Sequence, residues 1–305
     1  MAIQLENFVN SRIIQNSITT FSGTNGGNGD NFPEDGIDAS YSSNDVISNN
    51  TIISNTDLFV SPNNNGLLLT SCFNETVSGN YLYGSGRDIS LESTDNCSIF
   101  GNSVTQSFWG ILLRYSSDNQ LVGNNVFETA SDTGHGRKPD SGIGFKIYGD
   151  DYNNTIYENN IGNNGDGMDL WIGNSGNVIY GNYFQDNTFQ VALFGQSGFS
   201  NSWENGSVGN YWSDYLTKYP NATEIDHTGL GNTPYEIDQN NTDQYPLWQA
   251  DINAVTLTPS NSAPLPSSIP TLPEFPLLDS LPLLLTTLSI AVILRPKKRG
   301  SKRTK

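Results

Sequence analysis

The chain has 305 residues, of which 39 are Asn and 30 Gly, while only 15% are charged. So many poor helix formers exclude an ordinary helical protein, and 14 Phe, 14 Tyr and 5 Trp in need of burial exclude a disordered one. The net charge is −17, and residues 1–270 hold 29 acids against seven bases, which excludes binding to a nucleic-acid backbone.

In chain order, the first residues lack the basic segment, apolar core and cleavage site of a signal peptide. Ile3 to Leu5 instead reads as a strand of a repeat already under way. Seven residues separate Ile3 from Asn10, as they do Ile37 from Asn44, Leu67 from Asn74 and Ile89 from Asn96. The expectation is that upstream coils and a signal peptide precede this sequence. The repeat itself is Asn, two residues, an aliphatic, two residues, Asn: Asn74–Val77–Asn80 and Asn96–Ile99–Asn102, with a shorter version at Asn177–Ile179–Asn182. A second short strand follows each, with first apolar residues Ile37, Leu67, Ile89, Ile111, Ile143, Met168 and Val191, spaced by 30, 22, 22, 32, 25 and 23 residues. The basic period is about 22 to 25 residues, and three coils are longer. Alternation puts Ile89 and Leu91 on one face and Ser90 and Glu92 on the other. Strands this short, broken by Asn and Gly that tolerate left-handed turns, predict a parallel β-helix with asparagine ladders at its corners. The leucine-rich repeat, which has a similar period, lacks its Leu-x-x-Leu-x-Leu scaffold here. Cys72 and Cys97 set no disulfide framework and read as two buried thiols, a single bridge being the alternative.

These coils, with the segments Gly209–Tyr215, Gly231–Tyr235 and Asp243–Leu247, resemble NosD-like proteins, a family of right-handed parallel β-helices named after a periplasmic copper-binding protein. The closing segments resemble those of archaeal members, and the resemblance covers about residues 1–248. It implies an all-β, right-handed parallel β-helix of about eight coils over residues 1–204. Domains of this class are also described as carbohydrate-binding and sugar-hydrolysing. The copper of the family name finds little support: the histidines are His135 and His227, and Met168 is the one internal methionine. Related proteins carry an Asp-rich, calcium-like loop before Thr-Pro-Tyr. The stretch from Asp226 to Asn232 keeps one acid, so no cofactor is assigned and calcium stays an alternative.

Residues 205–248 break the period and gather Tyr211, Trp212, Tyr215, Tyr219, Tyr235, Tyr245 and Trp248, with Trp203 just before them. They read as a cap on the open last coil, or alternatively as a sugar-stacking platform. Residues 249–273, rich in Pro, Ser and Thr, read as a linker. Residues 274–294 read as a transmembrane or sorting segment, and 295–305 as a basic cytoplasmic tail. That order resembles the archaeal PEF-type sorting signal and implies a protein displayed outside the cell and held to the membrane by its C-terminus. Among the Asn-x-Ser/Thr sequons, Asn205, Asn221 and Asn240 are glycosylation candidates, while Asn74 and Asn96 are expected at buried ladder positions.

Chemistry is expected beside the longer coils, whose insertions (residues 20–34, 56–65 and 129–140) all precede the second strand and so project from one edge. Three places after the first apolar residue come Ser40, Thr70, Glu92, Arg114, Lys146, Trp171 and Phe194. Two places before it come Asp35, Asn65, Arg87, Trp109, Ser141, Asp166 and Phe189. Arg87, Arg114 and Lys146 thus form a basic island in an acidic body, extended by Arg137 and Lys138 in an insertion and flanked by Trp109 and Trp171. The strip Glu92, Trp109, Arg114, Lys146, Asp166 and Trp171 suits an anionic glycan, on a polysaccharide or a surface glycoprotein. A solvated charge ladder is the alternative. Asp35–Asp38 and Asp166–Asp169 repeat Asp-Gly-apolar-Asp, with about 10 Å between the two acids on an extended chain. They read as turn residues, as an acid–base pair for glycoside cleavage, or as calcium ligands. A lyase would instead take Arg114 or Lys146 as its base. The expected function is a non-catalytic glycan- or partner-binding module, with a polysaccharide hydrolase or lyase as the alternative.

Overall fold

In the computed structural model the described residues are 3–21, 35–55, 64–129, 142–171, 173–195 and 200–249. Three parallel sheets of eight, seven and eight strands run side by side, each strand pairing with its equivalent one coil away. A two-stranded antiparallel ribbon and one short helix, Tyr215–Lys218, are the other regular elements among the described residues. This is a right-handed parallel β-helix.

The first sheet contains Ile3–Glu6, Ile37–Ser40, Asn65–Thr70, Arg87–Glu92, Trp109–Arg114, Ile143–Ile147, Asp166–Trp171 and Phe189–Phe194. Its inward residues stack in columns, Leu67–Ile89–Ile111–Phe145–Met168 and Leu69–Leu91–Leu113–Ile147–Leu170, all fully buried. Val77, Ile99, Leu121, Ile156 and Ile179 close the core from the second sheet, and Leu82, Val104, Val126, Ile161 and Phe184 from the third.

An asparagine ladder follows the corner between the second and third sheets. From Asn16 through Asn50, Asn80, Asn102, Asn124, Asn159 and Asn182 to Asn210, each side-chain amide donates to the Oδ1 of the next at 2.9–3.0 Å. The amides of Asn80, Asn102 and Asn124 also donate back to the carbonyls of Ile47, Val77 and Ile99. These buried amides are thereby satisfied, which is why a dry corner tolerates them.

Asn74 and Asn96 depart from expectation. Both are exposed, with φ of 60° and 59°, and they share this left-handed place with Asn10, Asn44, Asp118, Asn153 and Gly176. The buried place is the next residue, occupied by Asp45, Glu75, Cys97, Asn119, Asn154 and Asn177. The motif therefore combines a turn requirement with a ladder requirement, one residue apart. Cys72 and Cys97 are free buried thiols in this corner, pushed by burial up to about 11 and about 12.

After the last coil the chain folds over the open end. Trp203, Trp212, Tyr215 and Tyr235 are buried there, and Trp212 stacks between Phe184 at 4.5 Å and Tyr235 at 4.2 Å. These four rings cover the core, so they form no sugar platform. The segments 249–273, 274–294 and 295–305 lie outside the described residues, apart from Gln249. Among the described residues no helix is long and apolar enough to cross a membrane.

Candidate functional site

The outer face of the first sheet carries the chemistry, in an arrangement that differs from the expected one. Ile143 pairs with Trp109 and Asp166, while Phe145 takes the inward place beside Ile111 and Met168. This coil is therefore shifted by two residues from the expected alignment. Gly144 thereby falls in the column of Gly66, Gly110 and Gly167, where an added Cβ would come within 2.5–2.8 Å of atoms in neighbouring turns, including the backbone oxygens of adjacent coils. Gly142 would fill the same place in the expected alignment, so either register keeps a glycine there. Lys146 accordingly leaves the column of Glu92 and Arg114 and stands beside Leu112 and Asp169. Ile143, rather than Ser141, joins Arg87, Trp109, Asp166 and Phe189.

The shift brings the candidate residues together. Lys146 Nζ sits 4.5 Å from the Trp109 ring and 4.9 Å from the Trp171 ring, and 3.6 Å from Asp169 Oδ2. Its side chain is only 10% exposed and that of Asp169 only 2%. Arg87 covers the other side of Trp109 at 4.9 Å and meets Glu92 at 3.3 Å, while Arg114 lies 3.9 Å from Glu92. Tyr148, which the sequence reading passed over, takes the place beside Arg114 and packs edge-on against Trp171 at 5.2 Å. Trp171 stacks on Phe194 at 5.0 Å, and its indole N–H has no hydrogen-bond partner among the described residues.

The expected separation of Asp166 and Asp169 is also corrected. The two acids flank Gly167 and Met168 on the same strand, and their side chains are within hydrogen-bonding contact. Two carboxylates bond only when one holds a proton. Burial, then the Asp166 charge, raises the Asp169 carboxyl to about 7 against the pull of Lys146. Burial raises Asp166 too. Burial lowers Lys146 and Arg87, opposed by Asp169 and by Glu92 respectively. Below neutral pH, three cations then face fewer than three anions, and the island is positive within an acidic body. The Asp35–Asp38 pair does not repeat this arrangement: the neighbouring coils place Gln4 and Leu68, not Lys, beside Asp38, and Asp35 accepts from the Asn65 backbone N–H at 2.6 Å.

Arg137, Lys138 and nearly all of the three insertions lie outside the described residues. The described residues do not fit copper. Met168 is sealed in the core, the Cys72 and Cys97 thiols are held protonated by burial, and His227 stands in a turn of the cap. No group of three or more His, Cys, Asp or Glu suited to a metal occurs among the described residues.

Stacked parallel coils with a cation–aromatic lattice on one face define the class, a β-helix protein with a built outer surface. The sequence profile of the family described as periplasmic copper-binding protein (NosD) matches residues 3–217, and the chain belongs to that family. It is 31% identical over 155 residues to the probable ABC transporter binding protein NosD of Stutzerimonas stutzeri, covering 49% of this chain and 34% of that one. It is 33% identical over 146 residues to the namesake from Pseudomonas aeruginosa, covering 47% and 32%. The chain thus spans about a third of the length of these curated relatives. Among solved structures it is similar to a mutant of the periplasmic alginate epimerase AlgG, at 16% identity and a TM-score of 0.41 over 53% of this chain and 36% of that one. It is also similar to the Dettilon tailspike protein, at 18% identity and 0.47 over 61% and 37%.

Proposed function

We propose that the outer face of the first sheet binds an anionic glycan, with the protein held at the cell surface. The observation that carries this is the Lys146 ammonium clamped between Trp109 and Trp171, with Arg87 and Arg114 on either side. With Lys146, Arg87 and Phe194 on their faces, the half-buried indoles offer apolar edges to a sugar, and the guanidinium groups meet carboxylate or sulfate in fixed forks. Coils repeat every ~4.8 Å, a length similar to one sugar residue, so a chain lies along the axis. Arg114→Ala combined with Trp171→Ala is expected to weaken binding to the best ligand of a glycan panel at least tenfold, the loss of about 1.4 kcal/mol or more. Tyr83→Ala, exposed on the third sheet, serves as the control. Unchanged affinity in the double variant leaves the strip as a solvated charge ladder. Fractionation of the native protein tests the location, and recovery from the cytosol removes it.

A lyase is the second reading, favoured by the depressed Lys146 beside the raised Asp169. Neutral Lys146 takes the proton next to a uronate carboxylate. The electron pair forms the ring double bond, the glycosidic C–O bond breaks, and a proton from the Asp166–Asp169 pair reaches the leaving oxygen. Hydrolysis fits less well, because carboxyls in contact leave too little room for the usual separation of about 5 to 10 Å. Release of unsaturated products from a uronate polymer supports the lyase, and its absence across the panel leaves binding alone.

A further inference from the structure

The first sheet ends at Phe189–Phe194, whereas the third continues into the cap with Tyr211–Trp212. The cap therefore occupies the place where the next strand of the first sheet would lie. Between the two is a cleft of about 220 Å³, lined among others by Phe189, Gln190, Asp214, Lys218, Tyr235 and Ile237. Its volume is on the scale of one sugar ring, and the cap stands where a chain running along the first sheet would have to continue. We infer that this cleft binds the terminal sugar residue of the glycan that lies on the outer face. The inference rests on that reading of the face and adds that recognition is of a chain end.

Three observations support it. Phe189 is in register with Asp166, in the column that runs through Ile143 to Trp109 and Arg87, so the cleft opens where the strip stops. Its ring is 62% exposed, an aromatic surface left uncovered at the mouth of a cavity. The polar wall is fixed by its own bonds. Asp214 accepts the Tyr235 hydroxyl at 3.1 Å and the Gln190 amide at 3.3 Å, and Lys218 Nζ lies 4.0 Å from the Tyr235 ring. A carboxylate, an amide and an ammonium around one small space suit sugar hydroxyls, which both donate and accept. Burial lowers Lys218, which is consistent with a partly desolvated ammonium.

The test uses the full chain and the best binder from a panel of neutral, uronate and sulfated oligosaccharides. Phe189→Ala and Lys218→Gln, both at the cleft mouth or rim, are each expected to lower affinity at least tenfold, about 1.4 kcal/mol. Against the parent polymer and a preparation cut to a tenth of its length, protein bound per gram should rise about tenfold, following chain ends. Binding that follows polymer mass instead, or cleft variants with parental affinity, overturns the inference. If the cleft variants bind normally while Arg114→Ala with Trp171→Ala does not, the strip reading survives alone. If only the cleft variants lose binding, the cleft stands as a sugar site and the strip falls. If no glycan binds, both fall.

Discussion

Asp88 is the residue whose titration should be read most directly in stability. It stands where other coils hold Gly66, Gly110, Gly144 and Gly167, and it is fully buried, with the Ser85 backbone N–H donating to Oδ1 at 3.2 Å. Burial outweighs that bond and raises its carboxyl from 3.8 to about 7. Between those two values the folded chain keeps the proton and the unfolded chain does not, so stability falls as pH rises, by about 1.4 kcal/mol per unit. Above the folded value the loss is complete, at about 4 kcal/mol. Asp88→Asn keeps the shape and the acceptor but cannot ionise. Glu75, Asp151, Asp169 and Asp243, raised in the same way, titrate in both proteins and cancel in the comparison. Urea unfolding followed by fluorescence of the buried Trp203 and Trp212 supplies the assay. Relative to the parent, Asp88→Asn should gain about 2 to 3 kcal/mol of stability on going from pH 5 to pH 8. An equal difference at both pH values would falsify the assignment of Asp88 as a protonated core acid.

Two packing predictions follow. Asn124→Ala removes bonds to Ile99 and Asn159 and strands the Asn102 amides, so it should cost at least about 2 kcal/mol in urea unfolding; a loss below about 0.5 kcal/mol would make the ladder decorative. Gly110→Ala puts a Cβ 2.6 Å from the Gly144 carbonyl and 2.5 Å from Val126, and should cost more than about 1 kcal/mol by the same measurement, with an unchanged midpoint counting against the close approach.

The repeat, the inward columns and the buried thiols were legible because they depend on local alternation that identical coils enforce on one another. Register across the fifth and sixth strands of the first sheet was not. Ile143 and Phe145 are both apolar, two residues apart and each preceded by a glycine, so either register satisfies both the alternation and the glycine column. The contact of Asp166 with Asp169 was not legible either, because a regular extended strand would hold the two acids apart. The aromatic segment 205–248 offered a sugar-stacking platform only as an alternative, and the cleft itself was not legible, since its walls come from three separated stretches, residues 187–191, 214–218 and 235–237.

The outer face differs from the core in a way that stability alone does not explain. Down one column stand Ser90, Leu112, Lys146 and Asp169, all nearly buried, while their inward neighbours Leu91, Leu113, Ile147 and Leu170 stay aliphatic. Leu112 demonstrates that an apolar side chain fits this column. A buried ion pair rarely stabilises more than apolar residues of the same volume, because desolvation cancels most of the attraction. Lys146→Met with Asp169→Leu should therefore leave stability unchanged or raise it by about 1 to 4 kcal/mol. Lys146→Met alone strands a buried carboxylate and should cost up to about 3 kcal/mol at pH 8, less at pH 6 as Asp169 takes a proton. If the double variant keeps its fold and stability but loses glycan binding, the pair is present for the ligand. If it loses several kcal/mol, the pair is structural and the chemistry of this face must be sought in Arg87 and Arg114.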